Sequence, residues 1–158
     1  MSIIVNRRDL DFVMYEALDL NTILESEHYA DYDRESLDAM LDLCQSLAED
    51  QFLPFAAKLD ANEPKFVDGK VETIPEVKEA INAYREAGLC TSAYDAAIGG
   101  MQLPWMMDQA LNGMFVCANN PVHTYLFLTQ GVANMLNACG SDELKARYLP
   151  KLVEGEWF

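Results

Sequence analysis

Carboxylates are the most numerous groups in this chain that could move a proton, and their placement decides what chemistry is open to it. A general base must be desolvated and held beside its substrate. Glu76, Glu79 and Glu143 instead fall on the polar faces of amphipathic segments, where solvated surface charge is expected. His28 and His123 stand apart from any carboxylate cluster at ligand spacing. His123 lies near the start of an apolar helical pattern with no carboxylate beside it, and a capped or partly exposed ring is expected there. The four cysteines, at positions 44, 90, 117 and 139, show no Cys-x-x-Cys spacing, so buried, reduced thiols of a cytoplasmic protein are expected rather than metal ligands. No glycine motif of the phosphate-cradling kind follows a strand. No catalytic residue, no cofactor-binding residue and no metal ligand is assigned.

The elements around these residues read as helices. From Arg8 to Leu20 the apolar spacing is nearer helical than strand period, and Asn21 or Thr22 is placed to cap a second short turn. Asp33 should cap the longest pattern, with Leu37, Met40, Leu41, Cys44, Leu47, Ala48, Phe55 and Leu59 at three-and-four spacing, bent or divided near Leu53 by Pro54. Asp68-Gly69 between short alternating flanks predicts a tight hairpin. Pro75 pre-sets a first helical φ angle, and Gly88 ends that helix. Ala93 to Pro104, with Gly99-Gly100, is an irregular segment between two helical halves.

No Asp, Glu, Lys or Arg occurs from Gln109 through Ser141, a long uncharged tract for a chain with 11 basic and 26 acidic residues and a net charge of −15. These should be the inner helices. Asn119-Asn120-Pro121 divides the tract, and Gln130, Asn134 and Asn137 would need partners in lipid, so a membrane span is not expected. Asn120 and Pro121 look like the cap and first residue of a helix running to about Cys139. Near the end, Ser141 can cap a last helix, Asp142 and Glu143 oppose its N-terminal dipole, and Pro150 should force Leu149 out of helical geometry. The fold class is all-α, a helical bundle with a small hairpin insert, and 158 residues suffice for one domain with a real core. So strong a negative charge repels polyanions and argues against nucleic-acid partners. The first residues lack the apolar core and cleavage site of a signal peptide.

The closing run Gly140-Ser-Asp-Glu-Leu-Lys-Ala-Arg-Tyr-Leu-Pro-Lys-Leu-Val-Glu-Gly-Glu-Trp157 resembles the Gly-Ser-Glu-Glu-x-Lys-x-x-Tyr-Leu-Pro-Lys-Leu-x-x-Gly-Glu-Trp run that closes the helical N-terminal domain of acyl-CoA dehydrogenases. Ala97-Ile-Gly-Gly-Met-Gln-Leu-Pro104 is similar to that family's Glu-Tyr-Gly-Gly-x-Gly-Leu-Pro loop, departing at Ala97, Ile98 and Gln102. The opening Arg7-Arg-Asp-Leu-Asp-Phe-Val-Met-Tyr-Glu-Ala-Leu-Asp19 and the insert Phe66-Val-Asp-Gly-Lys-Val-Glu-Thr-Ile-Pro75 resemble the branch that contains 3-methylmercaptopropionyl-CoA dehydrogenases.

The resemblance covers essentially all of residues 1–158 and implies the N-terminal helical domain of an FAD-dependent enzyme that α,β-desaturates acyl-CoA thioesters. The flavin-binding β domain and C-terminal helical domain of the family are absent from this stretch. It further implies that the catalytic base and flavin contacts lie in those domains, that residues 1–158 alone are inactive and hold no FAD, and that coenzyme A phosphates meet basic groups chiefly elsewhere. Aligned through Gly140, Thr124, Phe127 and Gly131 fall near the family's acyl-channel lining positions, with Phe127 narrowing the channel and Gly131 opening space one turn later. The other reading is that Phe127 is an ordinary core aromatic and Gly131 a helix-contact residue. Partners implied are an acyl-CoA substrate, an electron-transfer acceptor, and further copies in a homo-oligomer assembled through the C-terminal domain. The competing expectation is a stand-alone helical interaction module that has lost the flavin domains.

Overall fold

Asp33 begins a 14-residue helix by a reciprocal cap: its carboxylate accepts from the Ser36 N–H at 2.8 Å, and the Ser36 hydroxyl oxygen accepts from the Asp33 N–H at 3.0 Å. The computed structural model describes residues 2–158. It contains α1 (Arg7–Asp11), α2 (Leu20–Leu24), α3 (Arg34–Leu47), α4 (Ala56–Asp60), a hairpin of β1 (Lys65–Val67) and β2 (Lys70–Glu72), α5 (Pro75–Glu86), α6 (Trp105–Cys139) and α7 (Asp142–Val153). The fold class is all-α with a small hairpin, as the sequence implies, and no described helix is long and apolar enough to cross a membrane.

The predicted helix over 8–20 is two elements. Helix α1 widens into a π turn over Phe12–Ala17 and stops at Leu18. Asp19 then takes a left-handed φ of 51° and restarts the chain as α2, its carboxylate accepting from the Thr22 N–H and hydroxyl. The cap is therefore Asp19, not Asn21 or Thr22. Helix α3 likewise widens over Ala48–Phe52 and breaks in a tight turn over Leu53–Phe55, where Pro54 has no N–H to continue the ladder.

That break meets a second one. Asn119 leaves helical geometry inside α6 (φ −161°, ψ 83°), one residue before the expected cap at Asn120, and its side-chain amide donates to the Phe52 carbonyl at 3.0 Å. The kink of α6 thus supplies a donor for the carbonyl freed at the division of α3, and the two breaks are pinned together, while the Asn119 Oδ1 is left without a partner. Around this junction Phe52, Tyr84 and Phe115 form an edge-to-face cluster with ring centroids 4.8 to 6.3 Å apart. Met14, Leu20, Leu37, Leu41 and Cys44 complete the core beneath.

The hairpin pairs Phe66 with Val71 across Asp68 and Gly69, both at positive φ as a two-residue turn of this kind demands, and it lies wholly on the surface. In the following loop, a Cβ on Gly100 would lie 1.8 Å from the Tyr94 carbonyl oxygen, so only glycine fits. Gln102 stands where the family motif has its third glycine, and it keeps a glycine-like φ of 56°. Its side chain compensates: the amide oxygen accepts from the Ala96 N–H at 3.3 Å and the amide nitrogen donates to the His28 carbonyl. With the Tyr32 hydroxyl donating to the Met101 carbonyl, this ties the segment before α3 to the loop.

Helix α7 starts as expected, with Ser141 accepting from the Leu144 N–H at 3.3 Å. It does not end at Pro150. It continues to Val153, because Leu149 and Val153 on either side of the proline are anchored with Tyr94 and Ala133 in a second, smaller apolar cluster. The cost is one helix hydrogen bond, that of the Ala146 carbonyl.

Candidate functional site

Helix α6 carries a single charged residue, Asp108, and so has apolar side chains all round, yet it buries only one side. Val122, His123, Leu126, Thr129 and Ala133 point into the bundle and are buried. Thr124, Phe127 and Gly131 fall at intervals of three and four residues on the opposite side, about 10 Å from end to end along the axis. Thr124 is half-buried and donates its hydroxyl to the Asn120 carbonyl at 2.9 Å. Phe127 is 55% exposed, and so is no core aromatic. Gly131 is exposed, and a Cβ there would meet nothing within 4 Å. The stripe widens through Leu128, Val132 and Met135, each at least half exposed. The structure therefore brings the three sequence-predicted residues together on one bare apolar surface.

Behind Phe127 lies His123, four residues earlier and one layer deeper, its ring 6.5 Å away. It is neither a cap nor partly exposed, which corrects the expectation from sequence: it is 1% exposed, stacked 14° from parallel on Phe115, and neither ring nitrogen has a hydrogen-bond partner. Burial without a compensating partner pushes its pKa down to about 4, so the ring is neutral at pH 7. It serves as an aromatic spacer between the core cluster and the outer stripe.

Sequence reasoning missed the buried polar knot at the other end of α6. Asp108 is almost fully buried and accepts from the Ser92 hydroxyl, from the Asn112 amide at 2.9 Å and from Gln109 at 3.1 Å. Tyr84 donates to the Asn112 carbonyl oxygen at 3.3 Å. Burial raises the Asp108 pKa, and these donors act against that rise. The contact with Ser92 crosses between elements and fastens that loop to α6, whereas those with Gln109 and Asn112 lie within α6 and hold the carboxylate in place. The available signal was that Asp108 is the lone charged residue between Pro104 and Asp142, with Asn112 one turn on. A second tie, from the Tyr94 hydroxyl to the Gln130 carbonyl at 3.3 Å, holds the same loop beside Gly131.

Of the carboxylates weighed from sequence, Glu79 and Glu143 are exposed and Glu76 pairs with Lys58, which holds its carboxyl below the usual range. All four thiols are free. Cys44 is buried, with its pKa raised by burial to about 12, whereas Cys117 and Cys139 are exposed, contrary to the expectation of buried thiols throughout. Among the described residues no three His, Cys, Asp or Glu side chains converge as a metal site would need.

Comparison with known proteins agrees with this architecture. The family model described as acyl-CoA dehydrogenase, N-terminal domain, matches residues 34–156, from the first residue of α3 to the turn after α7. The chain is 34% identical to a butyryl-CoA dehydrogenase of Syntrophomonas wolfei over 95% of its own length and 25% of that protein. It is 32% identical to a broad-specificity linear acyl-CoA dehydrogenase of Mycobacterium tuberculosis, over 89% of the chain and 23% of the relative. A 3-methylmercaptopropionyl-CoA dehydrogenase of Ruegeria pomeroyi is 24% identical over 95% of the chain and 26% of the relative. The chain thus spans about a quarter of the length of these curated relatives. It belongs to the acyl-CoA dehydrogenase family, in which it corresponds to the N-terminal domain.

Proposed function

We propose that residues 1–158 are the N-terminal helical domain of an FAD-dependent acyl-CoA dehydrogenase, and that the outer stripe of α6 forms one wall of its acyl pocket. The observation that carries this reading is the bare, uncharged surface of Thr124, Phe127 and Gly131 on a helix that is already packed on its other side. An apolar surface of this kind suits an acyl chain and excludes water from it.

The chain's own residues do not fit a flavin site. No charged side chain occurs from Gln109 to the end of α6 at Cys139 to meet a diphosphate, and the large exposed side chains on its outer stripe are apolar. The reading therefore assigns FAD, the catalytic base and the grip on coenzyme A to other domains of a longer polypeptide. What this chain does is shape and dry one side of the pocket. Phe127 limits depth, Gly131 leaves room one turn on, and His123, held rigid against Phe115, fixes the ring above it. The substrate is an acyl-CoA thioester, the reaction α,β-desaturation, and an electron-transfer acceptor and homo-oligomeric assembly belong to the whole enzyme.

The test is the visible spectrum of the polypeptide encoded by the full reading frame, before and after anaerobic addition of short and medium acyl-CoA thioesters. Bound flavin that bleaches supports the proposal. A colourless protein that FAD does not reconstitute would sink it and leave a helical interaction module as the better account.

A further inference from the structure

A groove of about 390 Å3 runs along α7, away from the α6 stripe, between that helix and the Thr91, Ile98–Gly99 and Asn137 side. Its floor on α7 is Ala146, Leu149, Pro150 and Val153, with Lys145 at one end and Glu154 at the other. Nine residues of helix place those two backbone positions about 13.5 Å apart. Neither side chain has an ion-pair partner among the described residues.

We infer that this groove is a self-docking surface, in which α7 of a second copy of the chain lies antiparallel about a two-fold axis near Leu149 and Pro150. The pattern is self-complementary in that arrangement: Lys145 of each copy meets Glu154 of the other, Ala146 faces Val153, and the small side chain of Ala146 and the exposed ring of Pro150 allow close approach. The edge of each helix enters the groove of its twin, a helix-in-groove contact made twice. Charge selects this face over others. The chain carries −15 overall, so most orientations of two copies repel, whereas α7 taken with Glu154 has three basic residues against three acidic ones and meets its twin without net repulsion. Twelve residues of helix per copy make a small interface, so the dimer is one of modest affinity, populated at high micromolar concentration and above, and weakened by salt. The inference is independent of the acyl-wall proposal, since the groove and the stripe share no residue.

Sedimentation equilibrium of the 158-residue chain between 10 µM and 1 mM tests it, with the variants Lys145→Glu, Glu154→Lys and the double exchange. The wild type should dimerise, each single reversal should weaken the dimer at least tenfold, and the double exchange should restore it to within about threefold. Net charge distinguishes the pairing from general repulsion, because the double variant has the same −15 as the wild type. Both changes place charge favourably for the α7 dipole, so the fold is not at risk, and circular-dichroism melting checks this. A chain that stays monomeric to 1 mM, a dimer indifferent to the single reversals, or a double variant no better than the singles would each overturn the inference.

Discussion

The two sides of α6 have nearly the same composition and opposite fates. Inward, Val122, Leu126 and Ala133 are buried in a bundle whose aromatic centre is Phe52, Tyr84 and Phe115; outward, Phe127, Leu128, Val132 and Met135 stand at least half exposed. Hydrophobicity alone does not separate them, because the hydrophobic effect rewards removal from water without saying by what. What separates them is whether this stretch of chain provides the covering atoms. The inner side is completed by α3, α5 and the kink at Asn119, and the outer side has no counterpart within residues 2–158.

Substitutions should therefore divide sharply. The largest effect is expected at the centre: Phe115→Ala removes a fully buried ring and should cost about 3–5 kcal/mol in urea denaturation. A comparable loss from Leu128→Ala would mean the outer face is packed after all. Next comes acid. The folded-state pKa of His123, about 4, lies below its ordinary 6.5, so the unfolded chain takes up the proton first. Stability should be full above pH 6.5 and fall by up to about 3 kcal/mol as pH drops through the window to 4. His123→Phe should flatten that part of the stability profile, and an unchanged acid slope would count against a buried, unpartnered ring.

A third, smaller effect concerns the junction that shapes the inner side. Asn119→Ala leaves the Phe52 carbonyl without its donor and should cost about 1–3 kcal/mol, with hydrogen-exchange protection falling around both helix breaks together. Protection lost on one side alone would contradict the coupling. At Gln102, replacement by Gly relieves the left-handed φ and forfeits two hydrogen bonds, so the melting temperature should scarcely move, whereas Gln102→Ala keeps the strain, loses the bonds and should cost about 1–2 kcal/mol. On the outer face, Leu128→Ser with Met135→Ser should leave stability within about 0.5 kcal/mol and reduce the binding of a hydrophobic dye.

What could be read in the sequence was largely local. The Asp33 and Ser141 caps, the Asp68-Gly69 turn, Pro75 and Gly88 all follow from interactions within a few residues, and all are found. Misreadings arose where distant contacts decide. Pro150 stays helical because Tyr94 and Ala133 hold its neighbours, and Asp19 rather than Asn21 restarts the chain because Leu20 must enter the core. His123 is buried because Phe115 and Tyr84 surround it, which no neighbouring residue announces. For the site, the resemblance aligned through Gly140 picked out Thr124, Phe127 and Gly131, which helical spacing places on one stripe. It could not say that the stripe is bare, and the Asp108 knot needed Ser92 from another segment.

The most direct measurement is the acyl-chain-length profile of flavin bleaching in the full-length polypeptide, compared between wild type and Phe127→Ala. If the outer stripe is the pocket wall, removing the ring should extend reactivity by two or more carbons while leaving the shortest thioesters little changed. A profile that does not shift, in a variant that retains flavin and melts like the wild type, would contradict the assignment of this face to the acyl group.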